Sequence, residues 1–296
     1  MFQGSLTALL TPMDAEGRVE LERIPALLDH LLDGGTSGVV VAGTTGESAT
    51  LAPREQETLL KTVVECVAGR VPVLAGTGSA DTAEAVTRTR LAAGWGADAA
   101  LVVTPYYNRP TQAGLEAHYR AVAGAVDRPV VLYNVPSRTA VDLLPETVAR
   151  LAAVDNIVAI KEAVPGAARA RDLLERCGDR LVLLSGDDPT CAEVMLAGAR
   201  GVISVAANLA PAAMAGLCEA ALAGDSGRTA DRREALEPLF RQLAVETNPI
   251  PVKWGAYELG LAGPGIRLPL VPLSEQHRPA LRACLESLGL KPGTDN

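Results

Sequence analysis

Lys161 is one of only four lysines in a chain that carries 23 arginines, and it interrupts the apolar run IVAIKEA at 157–163. Strand alternation puts Ile157, Ala159, Lys161 and Ala163 on one face, so the amine ends a row of small and apolar side chains. Apolar surroundings disfavour an ammonium ion, and a neutral lysine condenses with a ketone or aldehyde to form a Schiff base. A lysine that snorkels from a strand end to solvent fits the same spacing. Schiff-base chemistry also moves protons on and off a carbinolamine, which needs a hydroxyl close by. Tyr133, in RPVVLYNV at 128–135, has Val131 and Val135 as face mates. It reaches the height of Lys161 if the two strands pair in register. Core packing with one satisfied hydroxyl is the other use of such a tyrosine.

The second apolar run ends in Gly43-Thr44-Thr45-Gly46-Glu47-Ser48. Its glycines permit tight turns and close backbone approach, and its hydroxyls sit among backbone N–H groups. That makes a carboxylate-binding nest or an ordinary turn into a helix. No Lys follows the second glycine, so this is not the phosphate-cradling G-x-x-x-x-G-K-[ST] loop. Arg138, in LYNVPSRT, offers a planar guanidinium that can grip a substrate carboxylate with two hydrogen bonds, or form a surface ion pair. Tyr106 and Tyr107 add two hydroxyls and, in a chain with 3% aromatics, equally suit a subunit contact. In Ser185-Gly186-Asp187-Asp188 the aspartates are expected to cap a helix starting near Pro189. No His or second carboxylate motif lies at metal-ligand spacing. His30, His118 and His277 fall in helical patterns, which leaves Lys and Tyr to carry the proton chemistry.

The elements that must position these groups are short runs of Val, Ile, Leu and Ala at 4–10, 38–43, 71–76, 97–104, 128–135, 157–163, 181–186 and 201–206, with helical patterns between them. Strands buried on both faces, each followed by a helix, are what a parallel sheet with right-handed crossovers requires. Eight such units predict a closed (β/α)8 barrel of the TIM type, in which catalytic groups project from the C-terminal strand ends. An open doubly wound sheet is the alternative. Its dinucleotide loop is poorly matched, because Gly76-Thr77-Gly78-Ser79-Ala80-Asp81 follows the third run and has Asp at the third glycine position. The barrel is expected over 1–224. The stretch GDSGRT at 224–229 leads into helical patterns around 231–246, 250–260 and 275–288. These are read as a C-terminal helical extension, 225–296, packed on the barrel.

Composition narrows the function classes. A chain with 48% hydrophobic and 21% charged residues is expected to fold compactly. A net charge of −8 without a clustered basic face argues against nucleic acid. No apolar run approaches the ~20 residues of a membrane span. Five scattered cysteines without C-x-x-C read as reduced core thiols, and no basic residue precedes the first apolar stretch, so the cytoplasm is the expected compartment.

GSLTALLTPM, AGTTGES, TPYYN, LYNVPSRT, KEA, SGDD, GVISVAAN and NPIPVKW span nearly the whole chain. With them the sequence resembles the dihydrodipicolinate synthase family of pyruvate-dependent class I aldolases. The resemblance implies a (β/α)8 barrel with a helical extension, usually a homotetramer built as a dimer of dimers. It implies condensation of pyruvate with aspartate-4-semialdehyde on the route to lysine and diaminopimelate, with no cofactor and no metal. Lys161 would form the Schiff base with pyruvate. Tyr133 would give and take protons, linked through Thr44 to Tyr107, which would reach in from a neighbouring subunit. Thr45, Gly186 and the backbone of Ile203 would hold the pyruvate moiety, and Arg138 the carboxylate of the semialdehyde.

The family's lysine-feedback site is matched at Ser48, Ala49, Glu84 and Tyr106. Pro53, Gln56 and Ala80 replace the His, His and Asn of lysine-sensitive members, so weak or absent lysine inhibition is expected. Two other readings stay open. A sialic-acid lyase or sugar-acid aldolase would share the Lys, Tyr and Thr, though Arg138 favours the semialdehyde. A catalytically silent barrel that binds a small molecule would not need a relay of Tyr133, Thr44 and Tyr107. Lys253, inside NPIPVKW, has no role at this level, and Lys61 and Lys291 read as solvated surface charge.

Overall fold

In the computed structural model, which describes residues 2–291, parallel strands pair in chain order and close on themselves. They are β1 Gly4–Ala8, β2 Gly38–Val41, β3 Val73–Gly76, β4 Ala99–Val103, β5 Val130–Asn134, β6 Ile157–Glu162, β7 Val182–Ser185 and β8 Gly201–Ser204. Each expected apolar run contains one strand. The runs overshoot at their ends because residues such as Gly43 and Val135 have already turned into the loops. Between the strands lie helices such as Ile24–Asp33, Pro53–Val67, Thr82–Gly94, Gln112–Ala123 and Ala167–Cys177. Pro53 opens its helix where a missing N–H costs nothing. Asp81 caps Thr82–Gly94 by accepting from the Ala83 and Glu84 backbone at 3.2 and 3.3 Å.

Strand alternation divides the buried residues into two sets. Leu6, Val40, Leu74, Leu101, Val131, Leu184 and Ile203 fill the barrel lumen together with Tyr133. Val39, Val41, Val73, Leu132, Ile160 and Val202 point outward and pack with the helices. At the seam, a Cβ on Gly201 would stand 2.2 Å from the Gly4 carbonyl oxygen, so only glycine lets β8 meet β1 there.

One departure from simple alternation bears on the site. The β5–β6 ladder is irregular between Val130 and Val131: Val130 pairs with Ile157 and Val131 with Ala159, leaving Val158 as an extra residue. Ile157 therefore packs in the outer core, not on the inner face with Ala159 and Lys161. Beyond the irregularity Tyr133 pairs directly with Lys161.

The extension starts earlier than its hydrophobic periodicity indicates. Asp225 accepts from the Arg228 backbone at 3.0 Å and caps a helix over Ser226–Leu243, so most of GDSGRT is helical. Ile250–Glu258 and Arg278–Ser287 follow. Leu236, Leu239, Phe240, Leu281 and Leu285 share one continuous core with the barrel's outer layer. Residues 1 and 292–296, at the outer ends of the two expected regions, lie outside the described residues. No helix among the described residues is long and apolar enough to cross a membrane.

Candidate active site

A cavity of about 260 Å³ lies at the C-terminal ends of the strands, and Lys161, Tyr133, Thr44, Thr45, Arg138 and Gly186 all line it. Lys161 is 6% exposed, and its Nζ lies 4.4 Å from the centroid of the Tyr133 ring. Direct pairing of the two residues across β5 and β6 sets this approach. Gly186, just past β7, clears the path of the lysine stem: a Cβ there would meet Lys161 Cε at 3.0 Å and Cγ at 3.1 Å.

The loop that carries Thr44 and Thr45 is bracketed by two non-glycine residues in the left-handed region, Ala42 at φ 52° and Glu47 at φ 55°. Thr45 is buried, and its Oγ1 accepts from Asn248 Nδ2 at 3.1 Å. Thr11 donates to the Gly46 carbonyl at 2.7 Å from below. Arg138 sits on the single helical turn Pro136–Thr139. Its Nη2 donates to the Asn248 carbonyl at 3.2 Å, which leaves the rest of the guanidinium edge for a carboxylate at the mouth.

Two residues implied by the resemblance stand apart from this cavity within the single chain. Ile203 is buried in the lumen and is not among the lining side chains. Tyr107 is 93% exposed, with φ 73°, and is also absent from the lining. Tyr106 lines a second cavity of about 360 Å³, shared with Ser48, Ala49, Thr44 and Arg138. Glu84 lies elsewhere, ion-paired with Arg88 at 2.7 Å, and borders a hollow with Pro53 and Gln56. Gln56 spends its amide donors on the Ser48 and Leu51 carbonyls, both at 3.2 Å.

Neither aspartate after Gly186 caps the next helix, which starts at Cys191 without a side-chain cap. Asp187 accepts from the backbone and hydroxyl of Thr190, at 3.1 and 2.6 Å, ahead of Cys191–Leu196. Asp188 instead reaches across to the loop after β8, where Val205 and Ala206 donate to it at 3.0 and 2.8 Å. Burial pushes the Asp188 carboxyl up.

Sequence reasoning missed the part of the site built by the extension. Phe240, Leu243 and Ala244, at the end of helix Ser226–Leu243, and Asn248 line the cavity. NPIPVKW was the only signal that this region mattered.

On the outer side of β6, Glu162 is buried and takes hydrogen bonds from Asn134 Nδ2 at 3.1 and 3.0 Å and from the Val164 backbone at 2.8 Å. Asn134 also donates to Asp142 at 2.8 Å and accepts from the Leu143 backbone at 2.9 Å. This network ties β5 to β6 directly behind Tyr133 and Lys161. Burial pushes the Glu162 carboxyl up to about 7 from an ordinary 4.5, against the pull of Asn134, the Val164 N–H and Arg169. Between those two values the folded chain keeps a proton that the unfolded chain has lost, so stability falls as pH rises through the window. In urea unfolding, the stability of wild type relative to Glu162→Gln should drop by up to about 3 kcal/mol from pH 4.5 to 7.5. A difference that stays constant across that range would contradict the raised value.

The sequence pattern of the dihydrodipicolinate synthetase family matches residues 1–288. A 4-hydroxy-tetrahydrodipicolinate synthase from Alcanivorax borkumensis is 54% identical over 290 residues, 98% of this chain and 99% of its own. The crystal structure of the chloride-inhibited dihydrodipicolinate synthase from Acinetobacter baumannii, complexed with pyruvate, is similar at TM-score 0.96 and 45% identity, covering 98% of this chain and 100% of that one. The dihydrodipicolinate synthase of Cyanidioschyzon merolae, with lysine bound, gives TM-score 0.94 at 37% identity, covering 98% of this chain and 99% of that one.

Proposed function

The chain belongs to the dihydrodipicolinate synthetase family and condenses pyruvate with aspartate-4-semialdehyde, and we propose that it does so through an imine on Lys161 with Tyr133 as proton carrier. The observation that carries this reading is the buried Lys161 amine held 4.4 Å from the Tyr133 ring at the floor of a cavity that Arg138 borders. The amine attacks the ketone carbon of pyruvate, and the carbinolamine loses water to give the imine. Loss of a methyl proton converts the imine to an enamine, whose carbon attacks the aldehyde and leaves an alkoxide that is then protonated. The product's own amine finally displaces Lys161 as the ring closes.

Thr45 and Gly186 border the space for the pyruvate carboxylate, with the Ile203 backbone behind them, and Arg138 takes the semialdehyde's carboxylate. One phenol cannot serve every proton transfer from imine formation to ring closure, so Thr44 and a Tyr107 supplied by a second copy share the proton traffic. The 93% exposure of Tyr107 leaves it available to that copy, consistent with a homotetramer. Barrel 1–224 and extension 225–296 act as one unit, since both the shared core and the cavity draw on each. Five free thiols, four of them buried, suit the cytoplasm.

Borohydride reduction in the presence of pyruvate, followed by peptide mass analysis, should leave an adduct on Lys161. Its absence would overturn the mechanism. A coupled assay should then show turnover with aspartate-4-semialdehyde and none with sugar aldehydes, against the sialic-acid lyase alternative. The same assay run over millimolar lysine should show little inhibition. Ser48, Ala49 and Tyr106 frame the effector space, but Pro53 and Ala80 have no side-chain hydrogen-bonding group and Gln56 spends its amide donors on the Ser48 and Leu51 carbonyls, each a lost partner worth ~1 kcal/mol. Three such losses weaken binding by roughly 10²-fold. Strong inhibition at low millimolar lysine would refute this reading of the effector site.

A further inference from the structure

Lys253 lies on helix Ile250–Glu258, is 3% exposed, and takes no part in the chemistry above. Its ammonium is paired with Glu47, which is also buried. The second Glu47 oxygen accepts from the Arg267 backbone at 3.0 Å. That anchor is rigid, because the Arg267 side chain is itself bound to Glu55, to the Thr50 carbonyl at 2.8 Å and to the Gly17 carbonyl at 2.8 Å. Two charges have thus been taken out of water, at a desolvation cost that their mutual attraction does little more than offset, so stability alone does not account for them.

Glu47 is also one of the two left-handed residues that bracket Thr44 and Thr45. Non-glycine residues persist in that conformation only where their surroundings enforce it. The Glu47 carboxylate is held by Lys253, and the Thr45 hydroxyl by Asn248, five positions earlier on the same segment of the extension. The loop is therefore gripped from outside at two points, one on each side of Gly46.

We propose that the Glu47–Lys253 pair is a positioning device for the condensation. It holds the GTTGES loop so that the Thr44 and Thr45 hydroxyls stay aimed into the cavity, and it makes the C-terminal extension part of the active site. Neither residue touches substrate; both act through the two threonines, so the inference rests on the roles proposed for Thr44 and Thr45 above. Release of the pair lets the loop relax toward ordinary backbone conformations, which moves the group that holds pyruvate and the hydroxyl that relays protons.

The test uses the full-length enzyme and measures kcat, the KM for pyruvate, borohydride trapping and Tm for Lys253→Met and Glu47→Gln. Glu47→Gln keeps an acceptor for the Arg267 N–H and is the variant that decides if Lys253→Met does not fold. The expected result is a pyruvate KM raised and a kcat lowered by roughly 10-fold each, the scale on which small misplacements act, with recovery of most activity in Lys253→Arg. In a Thr45→Val background the same substitutions should raise the pyruvate KM less than about twofold further, because the effect runs through that residue. Folded variants with wild-type kcat and KM, or effects on the pyruvate KM that add fully to Thr45→Val, would overturn the inference. Wild-type enzyme that fails to trap pyruvate on Lys161 would instead overturn the mechanism it rests on.

Discussion

Lys161→Met should lose catalysis by roughly 10³-fold or more in kcat/KM, the scale expected when a covalent nucleophile is removed, and should leave no pyruvate adduct after borohydride. The stem of Lys161 runs over Gly186, with Cε and Cγ within 3.1 Å of where a Cβ would be. An unbranched methionine follows the same path and fills the same volume. The substitution also removes a buried amine from the end of a lumen lined by Val131, Ala159 and Leu184, so Tm should hold or rise. Kinetics and Tm measured on one preparation separate the two effects. Turnover above about 1% of wild type in a folded variant, a loss far short of the nucleophile scale, would take Lys161 out of the covalent role.

Tyr133→Phe should lower kcat by roughly 10²- to 10⁴-fold, the range for a general acid or base, with the pyruvate KM changed by no more than a few-fold. The ring is 7% exposed and packs in the lumen with Leu101, Val131 and Val135, and phenylalanine preserves that packing. Only the hydroxyl is lost, so a fall in kcat without a fall in Tm isolates proton transfer from structure. Borohydride trapping should slow as well, because imine formation needs its own proton transfers. A kcat within about threefold of wild type, well below the general acid–base range, would place the relay on Thr44 and Tyr107 alone.

Both predictions begin from residues whose chemistry is visible in short windows of sequence. IVAIKEA and VVLYNV show apolar strands ending in a lysine and a tyrosine. Strand period two is a local property, so the face that Tyr133 shares with Val131 and Val135 follows without tertiary information. The barrel follows in the same way, from eight apolar runs separated by helical patterns, because continuous burial on both faces admits few architectures. Even here one contact intervened: the irregularity at Val130 and Val131 moves Ile157 outward, which the sequence of β6 alone does not encode.

What the sequence determined by itself was therefore the set of reactive side chains and the scaffold that presents them at one end of a barrel. Family motifs then added the substrates. Only the tertiary structure decided who holds those side chains in place. Thr45 is bound by Asn248, 203 positions away, and Glu47 by Lys253, 206 positions away. Asp188 was expected to cap its own helix and instead grips the loop after β8, 17 and 18 residues on. Phe240 and Leu243 cover a cavity whose floor is formed by β5 and β6. The early start of Ser226–Leu243 belongs with these, since its first turn is polar and is set by the Asp225 cap rather than by an apolar stripe. Periodicity records which face of an element is buried, but the partner it is buried against depends on how distant segments close on one another. That is why Lys161 could be singled out from seven residues of sequence, whereas Lys253 acquired a partner only when the extension was seen folded against the second strand's loop.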